Sequence, residues 1–210
     1  MPVDEPLYPV NLVVAGRACL VVGGGRVARQ KVQGLLDAGA RVTVVAPEVD
    51  PEVTALPVAV ERRPYRRDEV AGYRLAIAAT GDPGVNQHVY DDAEAAGVWI
   101  NSADDPERCS VTLPARAQVG RLTVTVSTGG HSPAVAAWVR DRLVAQLGPE
   151  YDQLIGLLAH ERDEVRSEGR STEGLDWRAA LDSGILDLVR AGRLGEAKER
   201  LRACLSSSSD

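Results

Sequence analysis

Gly23-Gly24-Gly25-Arg26-Val27-Ala28 follows directly on the apolar run Ala18-Cys19-Leu20-Val21-Val22. A strand, a glycine turn and a helix start in this order have the G-x-G-x-x-A spacing that receives a dinucleotide diphosphate. Glycine at 23 permits a tight turn. Gly25, without a Cβ, lets backbone approach a pyrophosphate, and Ala28 lets helix and strand pack closely. The uncommitted N–H groups of a helix beginning near Arg26 and Val27 then face the phosphates. Gly23, Gly24, Gly25, Arg26 and Val27 are therefore candidate cofactor residues. An α/β turn with nothing bound would carry the same letters, so the neighbouring elements decide how much the fingerprint means.

Those elements alternate. The patterning predicts a strand over residues 17–22, a helix over 27–38 closed by Gly39, and a strand over 41–46 stopped by Pro47. Further strands are expected at 58–62, 75–79 and 99–101, with a helix at 86–96 closed by Gly97. Leu75 to Ala79 is the short, wholly apolar kind of strand that parallel sheets bury. Alternation of this sort predicts an α/β, Rossmann-type doubly wound parallel sheet. Thr80, after the fourth strand, is a candidate ribose or pyrophosphate contact, and a polar turn is an equal reading. A carboxylate is expected near the end of the second strand to hold ribose hydroxyls. The sequence there reads Val45-Ala46-Pro47, so backbone groups of Ala46 and Pro47 are the candidates instead.

The pattern changes after Ser110. Segments 110–118 and 121–127 flank Val119-Gly120, and Thr123, Thr125 and Ser127 alternate with Val124 and Val126, as in an antiparallel hairpin. Ser132-Pro133 is a helix start, with Val135, Val139, Leu143 and Leu147 on one stripe. From Tyr151 the chain reads as all-helical. Three parts are expected: residues 1–113, a nucleotide-binding domain; 114–148, a linking segment; and 149–210, a small helical domain.

Composition narrows the function classes. The 210 residues carry a net charge of −6, and aromatic side chains make up 4% with no Phe. That disfavours nucleic-acid backbone binding and base stacking. Cys19, Cys109 and Cys204 form no C-x-x-C pair, so a zinc ribbon or dithiol site is not indicated, and no metal ligand set is expected. His131, His88 and His160 stand apart from one another. The acidic start, Met1 to Pro6, is unlike a secretory leader, and no apolar run reaches the ~20 residues of a membrane span, so a cytoplasmic protein without membrane contact is expected.

Three more segments sharpen the reading: Ala78 to Asn86, Asn101-Ser102-Ala103-Asp104-Asp105-Pro106-Glu107-Arg108-Cys109, and Ser127-Thr128-Gly129-Gly130-His131-Ser132-Pro133. Together with Leu20 to Gly25, they resemble the precorrin-2 dehydrogenase family, the dehydrogenase–ferrochelatase module of sirohaem synthase. The resemblance covers nearly the whole chain. It implies oxidation of precorrin-2 to sirohydrochlorin with NAD, and insertion of ferrous iron or cobalt in those members that also chelate. It also implies a homodimer held by the 114–148 segment. No methyltransferase-like segment is recognised, so only the later step or steps are expected. Asp104 matches the family's catalytic aspartate. A carboxylate there can take the proton released when hydride leaves the substrate, whereas an Asp-Pro turn is the structural alternative. Thr128, Gly129, Gly130, His131 and Ser132 are candidate substrate-binding residues, since amides at a helix start suit a substrate rich in carboxylates. Arg116, Arg121 and Arg140 are open between substrate carboxylates and surface ion pairs. The competing function is a nucleotide-sensing Rossmann module without chemistry.

Overall fold

The computed structural model describes residues 6–103 and 105–206. Five parallel strands form one sheet: β1 (Ala18–Val22), β2 (Arg41–Val45), β3 (Ala59–Glu61), β4 (Leu75–Ala78) and β5 (Trp99–Ser102). Their order is β3-β2-β1-β4-β5. The chain therefore builds outward from β1 in one direction, then crosses back to build in the other. The switch point lies between β1 and β4, where an open α/β sheet leaves a crevice at its carboxyl edge.

Helices cover both faces. α1 (Arg26–Asp37) and the short α2 (Pro51–Thr54) lie on one side, where Ala28, Val32, Leu35 and Val53 pack with Val21, Val44 and Ile77. α3 (Pro83–Ala96) lies on the other, where Val89 and Ala93 pack with Leu20, Val22, Ala78 and Ile100. β4 is buried throughout, as its uninterrupted apolar run predicts. Burial of each large aliphatic side chain, Leu20, Ile77 or Ile100, stabilises the sheet by about 2–3 kcal/mol. α1 and α3 end where the sequence places their glycines: Gly39 has φ 76° and Gly97 has φ 63°, the left-handed region in which a Cβ is strained.

The chain divides into two compact units. One holds the residues up to Leu113 together with Ser127–Pro133, and the other holds Pro114–Val126 and the residues from Ala134 onward. In the second unit, β6 (Ala115–Val119) and β7 (Leu122–Val126) form the expected antiparallel hairpin, with Val119 opposite Leu122. Its turn rests on the first turn of α5 (Glu150–Ser167). The Arg121 N–H donates to Asp152 Oδ1 at 2.7 Å, and a Cβ on Gly120 would lie 2.5 Å from the Asp152 side chain. α6 (Trp177–Ala180), a wide turn at Leu181–Ile185 broken by Gly184 (φ 83°), α7 (Leu186–Arg190) and α8 (Leu194–Ser206) complete a small core around Leu154, Ile185, Val189 and Leu201.

α4 (Pro133–Val144) differs from expectation. It ends three residues before Leu147, and its apolar stripe does not face this chain's core. Val135 is 49% exposed, Leu143 43% and the adjacent Trp138 59%, while Ala136 is the helix's one buried side chain. The spacing marks an apolar face correctly, but it cannot say what covers that face.

Candidate nucleotide and acid–base site

The three glycines have three different jobs. Gly23 ends β1 with φ 126°, and a Cβ on it would lie 2.3 Å from the Ala79 carbonyl oxygen. Gly24 admits the loop after β2: a Cβ there would meet the Glu48 carbonyl oxygen at 2.2 Å, and its own carbonyl accepts from the Asp50 N–H at 2.9 Å. Gly25 is extended (φ −93°, ψ −166°), exposed, and has nothing within 4 Å of where a Cβ would point. Two glycines thus shape the turn and the third leaves open space.

That space lies at the start of α1. The helix has no side-chain cap and no acidic residue in its first turn, and Arg26 is exposed. Uncapped N–H groups, the positive end of the helix and a guanidinium together favour an anion. An open cradle beside a bare helix start fits a dinucleotide diphosphate, with Gly25, Arg26 and Val27 nearest to it.

At the end of β2 the Ala46 N–H donates to the Glu61 carbonyl at 3.2 Å, and Pro47 has no N–H. The expectation that backbone groups of Ala46 and Pro47 stand in for the missing carboxylate is therefore narrowed. They offer carbonyl oxygens and no donors, and an acceptor is what a ribose hydroxyl needs. Thr80 is committed within its own turn. Its hydroxyl donates to Asn86 Oδ1 at 2.7 Å and accepts from the Asp82 N–H at 3.1 Å, while Asn86 Nδ2 returns a bond to the Thr80 carbonyl at 3.1 Å. Asp82 caps α3, accepting from Gly84 and Val85. Asn86 is a residue that sequence reasoning passed over. It looks like one polar position on a helix, and only the fold brings its amide back onto Thr80.

The segment after β5 is the other half of the site. Asp104 lies outside the described residues, but both neighbours are fixed: Ala103 N–H donates to the Ala78 carbonyl at 2.8 Å, and Asp105 N–H to the Ser102 carbonyl at 3.3 Å. Val45, Val22, Ala78 and Ser102 stand side by side across four strands. The glycine turn and the Asp104 segment thus leave the same edge of the sheet two strands apart, about 10 Å at ordinary strand spacing. Asp105 opens a short turn over Pro106–Arg108, where its carbonyl accepts from the Arg108 N–H at 3.2 Å; its side chain pairs with Arg108, whose Nε donates to Gln87 Oε1 at 2.5 Å. Cys109 Sγ sits against Ser102 and Asp105, and burial pushes its thiol pKa up.

Ser127–Pro133 belongs to the same unit as the sheet. Gly129 and Gly130 have φ 61° and 84°. Three of the loop's amides are already used: Gly129 N–H bonds Ser127 Oγ, His131 N–H bonds the Thr128 carbonyl, and Ser132 N–H bonds Thr128 Oγ1. Among the candidate residues, anion binding by a row of free amides is therefore reduced to Thr128 and Gly130, whose N–H groups have no partner among the described residues. His131 Nδ1 lies 2.9 Å from the Thr128 carbonyl, and since a carbonyl only accepts, Nδ1 is the donor in that contact. In the second unit, Arg121 pairs with Asp152 and Arg140 with Asp141, so both serve surface ion pairs. A cavity of about 510 Å³ also lies there, between α5 and α8, and Arg202 at its wall pairs with Glu161 and Glu164.

A family model described as "Putative NAD(P)-binding" matches residues 10–115, half of the chain. The chain belongs to this NAD(P)-binding family. A second model, "Sirohaem biosynthesis protein central", matches residues 119–146, which span the hairpin turn, β7 and α4. Among curated relatives, the "Siroheme synthase" of Pseudomonas entomophila (strain L48) is 38% identical over 97% of this chain, and that of Nitrosomonas europaea is 36% identical over 96%. This chain spans 44% of the length of each. Among solved structures, "SirC, precorrin-2 dehydrogenase" superposes with a TM-score of 0.72 at 27% identity, covering 94% of this chain and 98% of that one. The family membership agrees with the open Gly25 cradle, and the likeness to siroheme synthases agrees with the resemblance carried by the Asn101–Cys109 and Ser127–Pro133 segments. No helix among the described residues is long and apolar enough to cross a membrane.

Proposed function

We propose that this chain is an NAD-dependent precorrin-2 dehydrogenase that yields sirohydrochlorin. The observation that supports the reading is the shared sheet edge: a diphosphate cradle after β1 and an acidic segment after β5 leave the same edge on either side of β4, next to the switch point. The near full-length likeness to a precorrin-2 dehydrogenase supports it. Bound NAD supplies the hydride acceptor. The chain's part is to hold the diphosphate at Gly25–Val27, to present Ala46 and Pro47 carbonyls to ribose, and to place a carboxylate at Asp104 where the substrate proton is released. Thr80 shapes the loop beside it. The Thr128–Ser132 loop meets substrate carboxylates through the Thr128 and Gly130 N–H groups, with the His131 ring beside them.

The protein acts as a homodimer. Trp138 and Leu143 form an exposed apolar face on α4, with the Arg142 guanidinium 4.9 Å from the Trp138 ring. No hairpin residue is fully buried, and a two-stranded ribbon is marginal alone. A second copy laid on this face supplies the missing cover.

Anaerobic incubation with precorrin-2 and NAD tests the activity, with appearance of the sirohydrochlorin spectrum as the expected result. Asp104→Asn is expected to keep NAD affinity within twofold and to lose at least 100-fold in turnover. Nucleotide binding with no spectral change would instead make the chain a sensor. Ferrous or cobalt ions added as a second substrate to the product mixture test insertion.

A further inference from the structure

We infer that Cys109, together with Asn101 beside it, is a positioning residue for the segment that carries Asp104; the inference rests on Asp104 as the proton acceptor. The sulfur reaches both sides of position 104. The Ser102 N–H donates to it at 3.2 Å and Asn101 Nδ2 approaches at 3.5 Å, while the Asp105 and Ser102 carbonyls, 3.2 and 3.4 Å away, are the two acceptors within reach of the thiol proton. Among the described residues no other side chain is hydrogen-bonded on both flanks of 104. Asn101 Nδ2 also donates to the Val111 carbonyl at 3.0 Å, which ties the strand end to the segment's far side.

Two further observations separate this from simple packing. Asn101 is 7% exposed and Ser102 3%, yet Asn101 Oδ1 and Ser102 Oγ have no hydrogen-bond partner among the described residues. A buried polar atom without a partner gives up its hydration for nothing in return. Stability alone would have placed apolar side chains here, so a polar strand end is being kept for what it holds in place. Burial also raises the pKa of the thiol, which favours the protonated donor over the nucleophilic thiolate.

The full-length chain carries the test. Cys109→Ala removes donor and acceptor, and Cys109→Ser keeps both. The alanine variant is expected to lose 10- to 100-fold in kcat, the range for a reacting group misplaced by about 1 Å, with NAD affinity unchanged. The serine variant should recover to within about fivefold of wild type. Amide hydrogen exchange at residues 102–105 should quicken at least tenfold in Cys109→Ala while α1 and β1 are unaffected. If Cys109 acts through Asp104, the double variant Asp104→Asn/Cys109→Ala is no slower than Asp104→Asn alone. Wild-type turnover and exchange in Cys109→Ala would overturn the inference, as would a further loss in the double variant. Full turnover in Asp104→Asn alongside a slow Cys109→Ala would show that the Asp104 assignment had failed.

Discussion

Position 25 and positions 23 and 24 should respond to substitution in opposite ways. A Cβ at position 25 has no atom of this chain within 4 Å, and Gly25→Val keeps an ordinary extended backbone. The variant is therefore expected to melt within a few degrees of the parent and to bind NAD at least tenfold more weakly by calorimetry. Gly24→Ala drives a methyl into the Glu48 backbone, and Gly23→Ala adds a disfavoured positive φ. Each should lose about 3 kcal/mol or more in urea unfolding, whether or not nucleotide is present. The fingerprint was legible because its spacing is local. Gly24 occupies a free position in that pattern, and its need for glycine comes from Glu48, which the fold brings in from another loop. Asn86 was hidden for the same reason.

Regular elements could be read where pattern is long enough to repeat. α1 and α3 had apolar periodicity and a closing glycine, and all five strands were placed to within about one residue. α2 has four residues and the turn at Pro106–Arg108 has three, too few to show a period. Nor did periodicity announce how the β3–β4 crossover is held. Asp92 of α3, only 3% exposed, accepts from the Tyr65 hydroxyl at 2.9 Å, from Arg67 Nε at 2.8 Å and from the Asp68 N–H at 2.8 Å. Burial alone would raise its pKa, but the bonds from Arg67, Asp68 and Tyr65 prevail and hold it below the usual carboxylate range. A carboxyl depressed in the folded state stabilises above its unfolded pKa, near 3.9, and ceases to as pH falls through the folded value. Asp92→Ala should therefore cost about 2–4 kcal/mol at pH 7. The gap from the parent in urea unfolding should narrow steadily below about pH 4.

At the scale of the whole molecule, the sequence located the apolar stripe on α4 but not its destination, because amphipathicity looks the same whether a face meets its own core or a neighbour. If Trp138 meets a second copy, Trp138→Glu should convert the dimer to a monomer in sedimentation experiments while leaving the melting of the nucleotide-binding unit in place. The contact of Asp152 with Gly120 and Arg121 has a bearing on this. A ribbon of two strands cannot stay rigid unaided, and here its tip is braced by a helix that begins thirty residues later. Cutting the chain at Gly148 would take away that brace along with the tail. The shortened protein should then still take up nucleotide yet fail to self-associate, the result expected of C-terminal helices that serve as a scaffold for assembly.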